Sequence, residues 1–355
     1  MNAASHPNLL GLDRSELEEL ARRLGQPSYR GRQLFRAIYA RRARELPALT
    51  DLGLKLRNEL GSRYRIGYPQ IRQRFSSSDG AVRYLFELED GERIETVFMP
   101  DRGRATICVS SQAGCAVGCR FCFTALLGVK RNLTAGEIVS QPLAVANDQA
   151  MARGVKLNIV FMGMGEPLLN LPAVAKAVRI LTDKDGPGIP WRRITVSTAG
   201  IIPGIRRLGR ESVRPKLAVS LNASNGEQRS ALMPIDKKYP LGDLLDACRE
   251  YPLRPRERIT FEYVMLDGVN DSDADAVRVA DLLDGLRAKI NLIPYNPGEE
   301  FPFRPPPLAR VVAFETVLRA RGIPAFIRIS RGRDVAGACG QLRLAHLAPP
   351  AASGR

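Results

Sequence analysis

Cys115, Cys119 and Cys122 form a CxxxCxxC run. Three thiolates this close can hold three irons of a 4Fe-4S cluster while the fourth iron stays open to a small molecule. Gly114 and Gly118 let the chain bend tightly around an inorganic core, and Phe121 and Phe123 are placed to screen it from water. A zinc knot is the ordinary alternative, but zinc usually closes with four Cys or His ligands. The two histidines, His6 and His346, each lie near a terminus. A trio of buried, non-ligating cysteines is the remaining alternative.

Other thiols invite a chemical reading. Cys339 sits in Gly337-Ala-Cys-Gly-Gln341, whose small neighbours permit close approach of a substrate. Cys108, in Thr106-Ile-Cys-Val109, and Cys248, in Leu244-Leu-Asp-Ala-Cys248, read more simply as small buried hydrophobes. A nucleophilic role would need thiolate character. Glu95, in a strand-like run, reads as a solvent-facing residue.

The elements that must position these groups alternate between strand and helix after Asp101, the pattern of parallel βα units. Strands are expected at 105–110, 157–162, 193–197, 216–221, 259–265 and 289–294, with a last strand-like run at 325–329. Helices are expected near 135–152, 171–183, 202–209, 240–251 and 273–286. This is α/β organisation, and six such strands fit an open, partial (β/α)6 barrel. In βα barrels the loops at the strands' C-terminal ends carry the chemistry. The cysteine loop, the Gly163-Met-Gly165-Glu166-Pro167 turn, Ser197, the Ser220-Leu221-Asn222 run and Asn296 all fall there. A glycine-rich turn exposes backbone groups to a polar ligand, and Ser197, Ser220, Asn222 and Asn296 offer hydrogen-bonding side chains. Taken singly, each could equally cap a strand end.

Before the barrel, helices are expected at 13–25, capped by Asp13 or Ser15, at 31–43 and at 52–60. Arginines crowd this module, and Tyr29 with Arg30 could stack on bases or grip phosphate. A period-two hairpin follows, with strands at 81–88 and 93–99 around Asp90-Gly91. Four regions are therefore expected: a helical accessory domain at 1–70, a β-hairpin linker at 71–100, the barrel at 101–335, and a C-terminal segment at 336–355.

The chain has 355 residues, 45% hydrophobic and 25% charged, as a globular enzyme does, and no apolar run is long enough to span a membrane. Six unevenly spaced cysteines do not make a disulfide scaffold. The start has neither a basic nor an apolar leader region, so a cytoplasmic protein is expected. The net charge of +16 points to a polyanionic partner, and without a lipid anchor signal nucleic acid is preferred over a membrane.

The cysteine run followed by an α/β repeat resembles the radical S-adenosylmethionine (SAM) enzymes, in which the open iron binds SAM. The stretches Arg104–Cys115, Met162–Asn170, Pro234–Tyr239, Glu262–Leu266, Ile290–Asn296, Ala338–Leu342 and Tyr29–Phe35 resemble, more narrowly, the RlmN/Cfr family of rRNA methyltransferases, and the RlmN branch above all. That resemblance implies a radical SAM barrel with cluster ligands Cys115, Cys119 and Cys122, and SAM contacts at Gly165, Glu166, Ser197, Ser220, Leu221, Asn222 and Asn296. It further implies two SAM per turnover, Cys339 as the S-methylcysteine carrier, Cys108 as the resolving thiol and Glu95 as proton acceptor.

The implied reaction methylates carbon 2 of an adenosine in 23S rRNA and of the tRNA adenosine 3′ of the anticodon. An electron donor such as flavodoxin and a monomeric state are expected with it. Two departures stand out: Phe123 where a small residue is expected, and Asn222 where a histidine is common. A Cfr-like carbon-8 methyltransferase and a non-catalytic iron–sulfur RNA-binding protein remain alternatives.

Overall fold

The expected strands of the barrel do pair in parallel. The computed structural model describes residues 6–152, 154–298, 300–342 and 344, so His346 and the end of the C-terminal segment lie outside the described residues. Three helices come first: α1 (Arg14–Arg23), α2 (Tyr29–Phe35) and α3 (Leu54–Arg63). A meander of β1 (Gln70–Ser76), β2 (Val82–Glu87) and β3 (Arg93–Asp101) follows and runs into β4 (Arg104–Cys108).

Next comes a small ribbon, β5 (Gln112–Gly114) and β6 (Val129–Asn132), with the short α4 (Phe123–Leu126) between its strands. The repeat then runs α5 (Ala135–Asp148), β7 (Lys156–Phe161), α6 (Leu171–Thr182), β8 (Ile194–Thr198), α7 (Ile202–Gly209) and β9 (Lys216–Ser220). It continues with α8 (Gly226–Leu232), α9 (Leu241–Arg249), β10 (Ile259–Met265), α10 (Asp273–Leu283), β11 (Ala288–Pro294), α11 (Leu308–Ala320) and β12 (Ala325–Ile327).

The main sheet has ten strands in the order β1-β2-β3-β4-β7-β8-β9-β10-β11-β12. From β4 to β12 every neighbour is parallel, so β12 extends the six expected strands. The meander joins the same sheet antiparallel, through Val97 opposite Cys108. One face of these strands packs into the main core, where Leu217, Val219, Phe261, Ile290 and Leu292 are fully buried, while Lys216, Thr260, Glu262, Lys289 and Asn291 line a cavity on the other.

The N-terminal module shares this core. Asp13 caps α1 in a reciprocal box with Glu16, satisfying two free backbone donors. After α2 the backbone widens into a π-turn over Arg36–Ala40. Tyr39 is buried there, its hydroxyl accepting from Gly11 N and donating to the Leu12 carbonyl, each at 2.8 Å. Ion pairs from Lys176 to Glu16 and from Arg14 to Asp185 tie the module to the barrel. Among the described residues no helix is long and apolar enough to cross a membrane.

One expectation is corrected. Glu95 is not solvent-facing but fully buried, ion-paired with the equally buried Arg83. Both faces of β3 are covered: Thr96 donates to Gln141 of α5 at 2.8 Å, while the Glu95 face lies under the C-terminal segment, where Arg83 Nε donates to the Val335 carbonyl at 2.6 Å. Alternation along a strand finds two faces but not what covers the second.

Candidate active site

The cysteine loop hangs between the strands of the β5–β6 ribbon, closed at its neck by Cys115 N donating to the Gly128 carbonyl at 2.9 Å. Gly114 has φ +76, and a Cβ there would run into that same carbonyl oxygen, so the neck requires glycine. The loop is held from the other side by Arg120 N donating to the Leu232 carbonyl at 2.9 Å. All three thiols line one cavity of about 170 Å³, with Val117, Phe121 and Tyr295 as apolar walls.

Burial pushes the Cys115 thiol up to about 12, and burial with the neighbouring thiols pushes Cys119 well above its ordinary value. Cys122 is raised too, chiefly by burial. A soft, desolvated thiol trio fits an iron–sulfur cluster, whose positive irons would ionise the ligands outright. Among the described residues no three His, Cys, Asp or Glu side chains form a ligand set for a lone metal ion.

Gly165, Glu166, Ser197, Ser220 and Asn222 line the same cavity, brought together from the ends of β7, β8 and β9. Gly165 has φ +98 and packs so tightly on Gln112 that a side chain would clash. Glu166 is buried, its two oxygens accepting from Leu168 N at 3.0 Å and Ala199 N at 2.7 Å. Burial outweighs those bonds and pushes its carboxyl up to about 7.

Asn222 takes the left-handed backbone, φ +56, which asparagine tolerates better than most residues. Its Oδ1 accepts from Val264 N at 2.8 Å and its Nδ2 faces Met233 Sδ at 3.3 Å. Leu221 and Asn296 are not on this wall. The Leu221 side chain is buried in the main core, and Asn296 reaches toward the C-terminal segment, donating to Ser330 Oγ at 2.9 Å and the Cys339 carbonyl at 3.5 Å.

Two residues overlooked in the sequence organise the site. Gln112 accepts from Glu166 N and donates to Asn132 Oδ1, each at 2.8 Å, clamping the glycine turn to the ribbon. Arg229 is fully buried, donating to Asp236 Oδ1 at 2.9 Å and the Ala199 carbonyl at 2.6 Å, with Ser220 O at 3.3 Å. It therefore fixes the loops after β8 and β9. The Arg and Asp stand seven positions apart in otherwise ordinary surroundings, and a capped helix and a turn must both form before they meet. Removing one partner of a buried pair strands the other charge, so Arg229→Ala should cost about 3–5 kcal/mol. Urea unfolding of the metal-free protein measures it, and a loss below about 1 kcal/mol would mean that Asp236 finds another partner.

The C-terminal segment docks on the cysteine loop. Phe123 N donates to the Gly340 carbonyl at 2.8 Å and Thr124 Oγ1 to the Leu342 carbonyl at 2.7 Å. Phe123 is accommodated because a side chain at Gly298 would occupy its ring, and it meets Phe301 edge-on at 4.9 Å. Cys339 thus opens onto the cluster cavity and onto a second, lower cavity of about 510 Å³, which Cys108 also lines. Cys108 is buried and Cys339 exposed; burial, with Cys339 next, raises the Cys108 thiol, and desolvation, with Glu262 next, raises that of Cys339. Glu95 lines neither cavity. Cys248 is buried in α9, away from both.

An open parallel barrel with a three-cysteine loop at the C-terminal rim defines a radical SAM enzyme. A model of the radical SAM superfamily matches residues 109–280, and one described as the ribosomal RNA large subunit methyltransferase N-terminal domain matches residues 7–66. The chain is 53% identical over 342 residues to the probable dual-specificity RNA methyltransferase RlmN of Koribacter versatilis, covering 92% of this chain and 98% of that one. It is 49% identical over 327 residues to the dual-specificity RNA methyltransferase RlmN of Syntrophobacter fumaroxidans, covering 92% and 95%. A crystal structure of a radical SAM methyltransferase from Sphaerobacter thermophilus superposes with a TM-score of 0.90 at 48% identity, over 95% of this chain and 99% of that one. The chain belongs to the RlmN family of radical SAM RNA methyltransferases.

Proposed function

We propose that the protein methylates carbon 2 of an adenosine in 23S rRNA and in tRNA, through a methyl group carried on Cys339. One observation carries the reading: Cys339 lines the cavity of the three-cysteine loop and also the neighbouring cavity that Cys108 lines. An electron-poor amidine carbon does not attack the methyl of SAM, so the methyl must first be placed on the protein and then activated. Cys339 takes it by displacement at one SAM. A cluster held by Cys115, Cys119 and Cys122 would supply the electron that turns a second SAM into the radical source for hydrogen removal from the S-methyl group.

The chain's own residues do the rest. Gly165 and Glu166 receive the amino-acid end of SAM, with Ser197, Ser220 and Asn222 beside its polar groups. The methylene radical on Cys339 adds to carbon 2, and the unpaired electron of the adduct would return to a cluster held by the three cysteines; Glu95, which is paired with Arg83 and lies outside both cavities, would take the ring proton once the C-terminal segment over it moves aside. The Cys108 thiolate then attacks the Cys339 sulfur, the carbon–sulfur bond breaks with its electron pair on carbon, that carbon takes up a proton to become the methyl group, and a disulfide remains that must be reduced before the next turnover. An electron donor of the flavodoxin type and a monomeric enzyme complete the proposal.

Tyr29 is 44% exposed, with the Arg30 guanidinium 5.0 Å over its ring, a ready platform for a splayed base. Several arginines of the surrounding module are engaged by acids, among them Arg41 by Asp51 and Arg63 by Glu59. Replacing Tyr29 and Arg30 by alanine should weaken RNA binding about tenfold and lower the salt slope by about one, as read from titrations at several salt concentrations. Unchanged binding and slope would give that face to solvent.

Nucleoside mass spectrometry of rRNA and tRNA from cells with and without the gene tests the whole reading. Loss of 2-methyladenosine without the gene supports it. Loss of the 8-methyl isomer instead would assign the carbon-8 chemistry, and no change in any methyladenosine would overturn it.

A further inference from the structure

Met162, Glu262, Ile293 and Cys339 border both cavities, and Glu262 is the one charged group among them. No step so far uses it. Glu262 points inward from β10, flanked by Ser220 on β9 and Asn291 on β11. Asn291 Nδ2 is shared between its two oxygens at 3.0 and 3.2 Å, and Asn291 Oδ1 in turn accepts from Arg328 Nε at 3.3 Å. A single shared donor leaves each carboxyl oxygen with capacity to spare. The lower cavity carries Arg192, Arg193, Lys216, Lys289 and Arg328, cations suited to the phosphates flanking one inserted nucleotide.

We propose that Glu262, held by Asn291, reads the substrate adenine in the lower cavity. Its carboxyl donates to the ring nitrogen N1 and accepts from the 6-amino group, which brings carbon 2 toward Cys339. This deepens the methyltransferase reading and rests on it. Adenine's edge needs one donor and one acceptor side by side, which a protonated carboxyl offers and an ionised one does not.

The surroundings allow the protonated form. Burial pushes the Glu262 carboxyl up to about 7, against the pull of Asn291, Arg328 and Lys289. Lys216, from β9, lowers the Lys289 ammonium in turn, and Cys339 faces the carboxyl from the C-terminal segment. A glutamine offers the same donor and acceptor without titrating.

The test compares anaerobically reconstituted wild type, Glu262→Gln and Glu262→Ala on a 23S rRNA fragment carrying either adenosine or 1-deazaadenosine at the target position. On adenosine, Glu262→Ala should lose about tenfold to a hundredfold in kcat/KM while Glu262→Gln stays within a few-fold of wild type. The deaza substitution should cost Glu262→Ala about tenfold less than it costs wild type, because the contact it removes is already gone. The wild-type to Glu262→Gln ratio should also fall as pH rises through about 7. Equal deaza penalties in wild type and Glu262→Ala, or a Glu262→Gln enzyme as poor as Glu262→Ala, would overturn the proposal alone. Wild type that cleaves SAM but makes no methyladenosine would overturn the functional reading and this inference with it.

Discussion

Cys339→Ala protein, reconstituted anaerobically and given SAM, should show no added methyl by intact mass and lose product formation by on the order of 10³-fold or more. The wild-type protein should gain the mass of one methyl group. The expectation rests on placement: Cys339 opens into the cluster cavity, held by Asn296 beneath it and by the cysteine loop through Gly340. Cys339 is exposed at the cavity mouth, yet desolvation by the surrounding walls holds its thiol above the ordinary value, so at neutral pH most of it is protonated. Alkylation of Cys339 by iodoacetamide should therefore rise about tenfold per pH unit through the neutral range. A methyl mass persisting in Cys339→Ala protein would move the acceptor to another residue.

The second large effect is a trap rather than a loss. Cys108→Ala should load methyl and form the carbon–carbon bond, then fail to release it, leaving RNA bound covalently through Cys339. A denaturing gel of reaction mixtures should show an RNA–protein band sensitive to ribonuclease and to protease, absent in the Cys108/Cys339 double variant. Cys108 is well placed for resolution because it ends β4 on the wall of the lower cavity that Cys339 enters from above. Its buried thiol is raised, so attack waits on deprotonation, and the slow step of release should speed up with pH. Free methylated product at the wild-type rate would return Cys108 to the role of a buried hydrophobe.

Much of this was legible in the sequence for a physical reason. A strand with one face in the core carries a run of β-branched and aromatic residues, so Leu157–Met162 and Ile259–Met265 are visible without any knowledge of their neighbours, although Asn158 and Glu262 in them turn to the cavity. Once those strands are placed, the rule that βα loops share one rim gathers Gly165, Glu166, Ser197, Ser220 and Asn222 into one place. What stayed hidden depends on partners distant in the chain. Glu95 is buried because residues more than two hundred positions later cover it. Gln112 and Arg229 bond to backbone groups of loops that have no position until the sheet exists. Helix α11 escaped notice because Leu308 and Val312 are exposed while Val311, Phe314 and Leu318 are buried, so its apolar residues form no single stripe.

The bonds from Phe123 and Thr124 to the segment around Cys339 have a consequence for handling and for damage. The proposed iron ligands and the proposed methyl carrier share one mounting, so loss of the metal to oxygen should also slacken the grip on the carrier. Oxidative injury should therefore disable both halves of the chemistry in one event. Deuterium uptake over residues 338–342 should report it as sensitively as the fading brown colour of the centre.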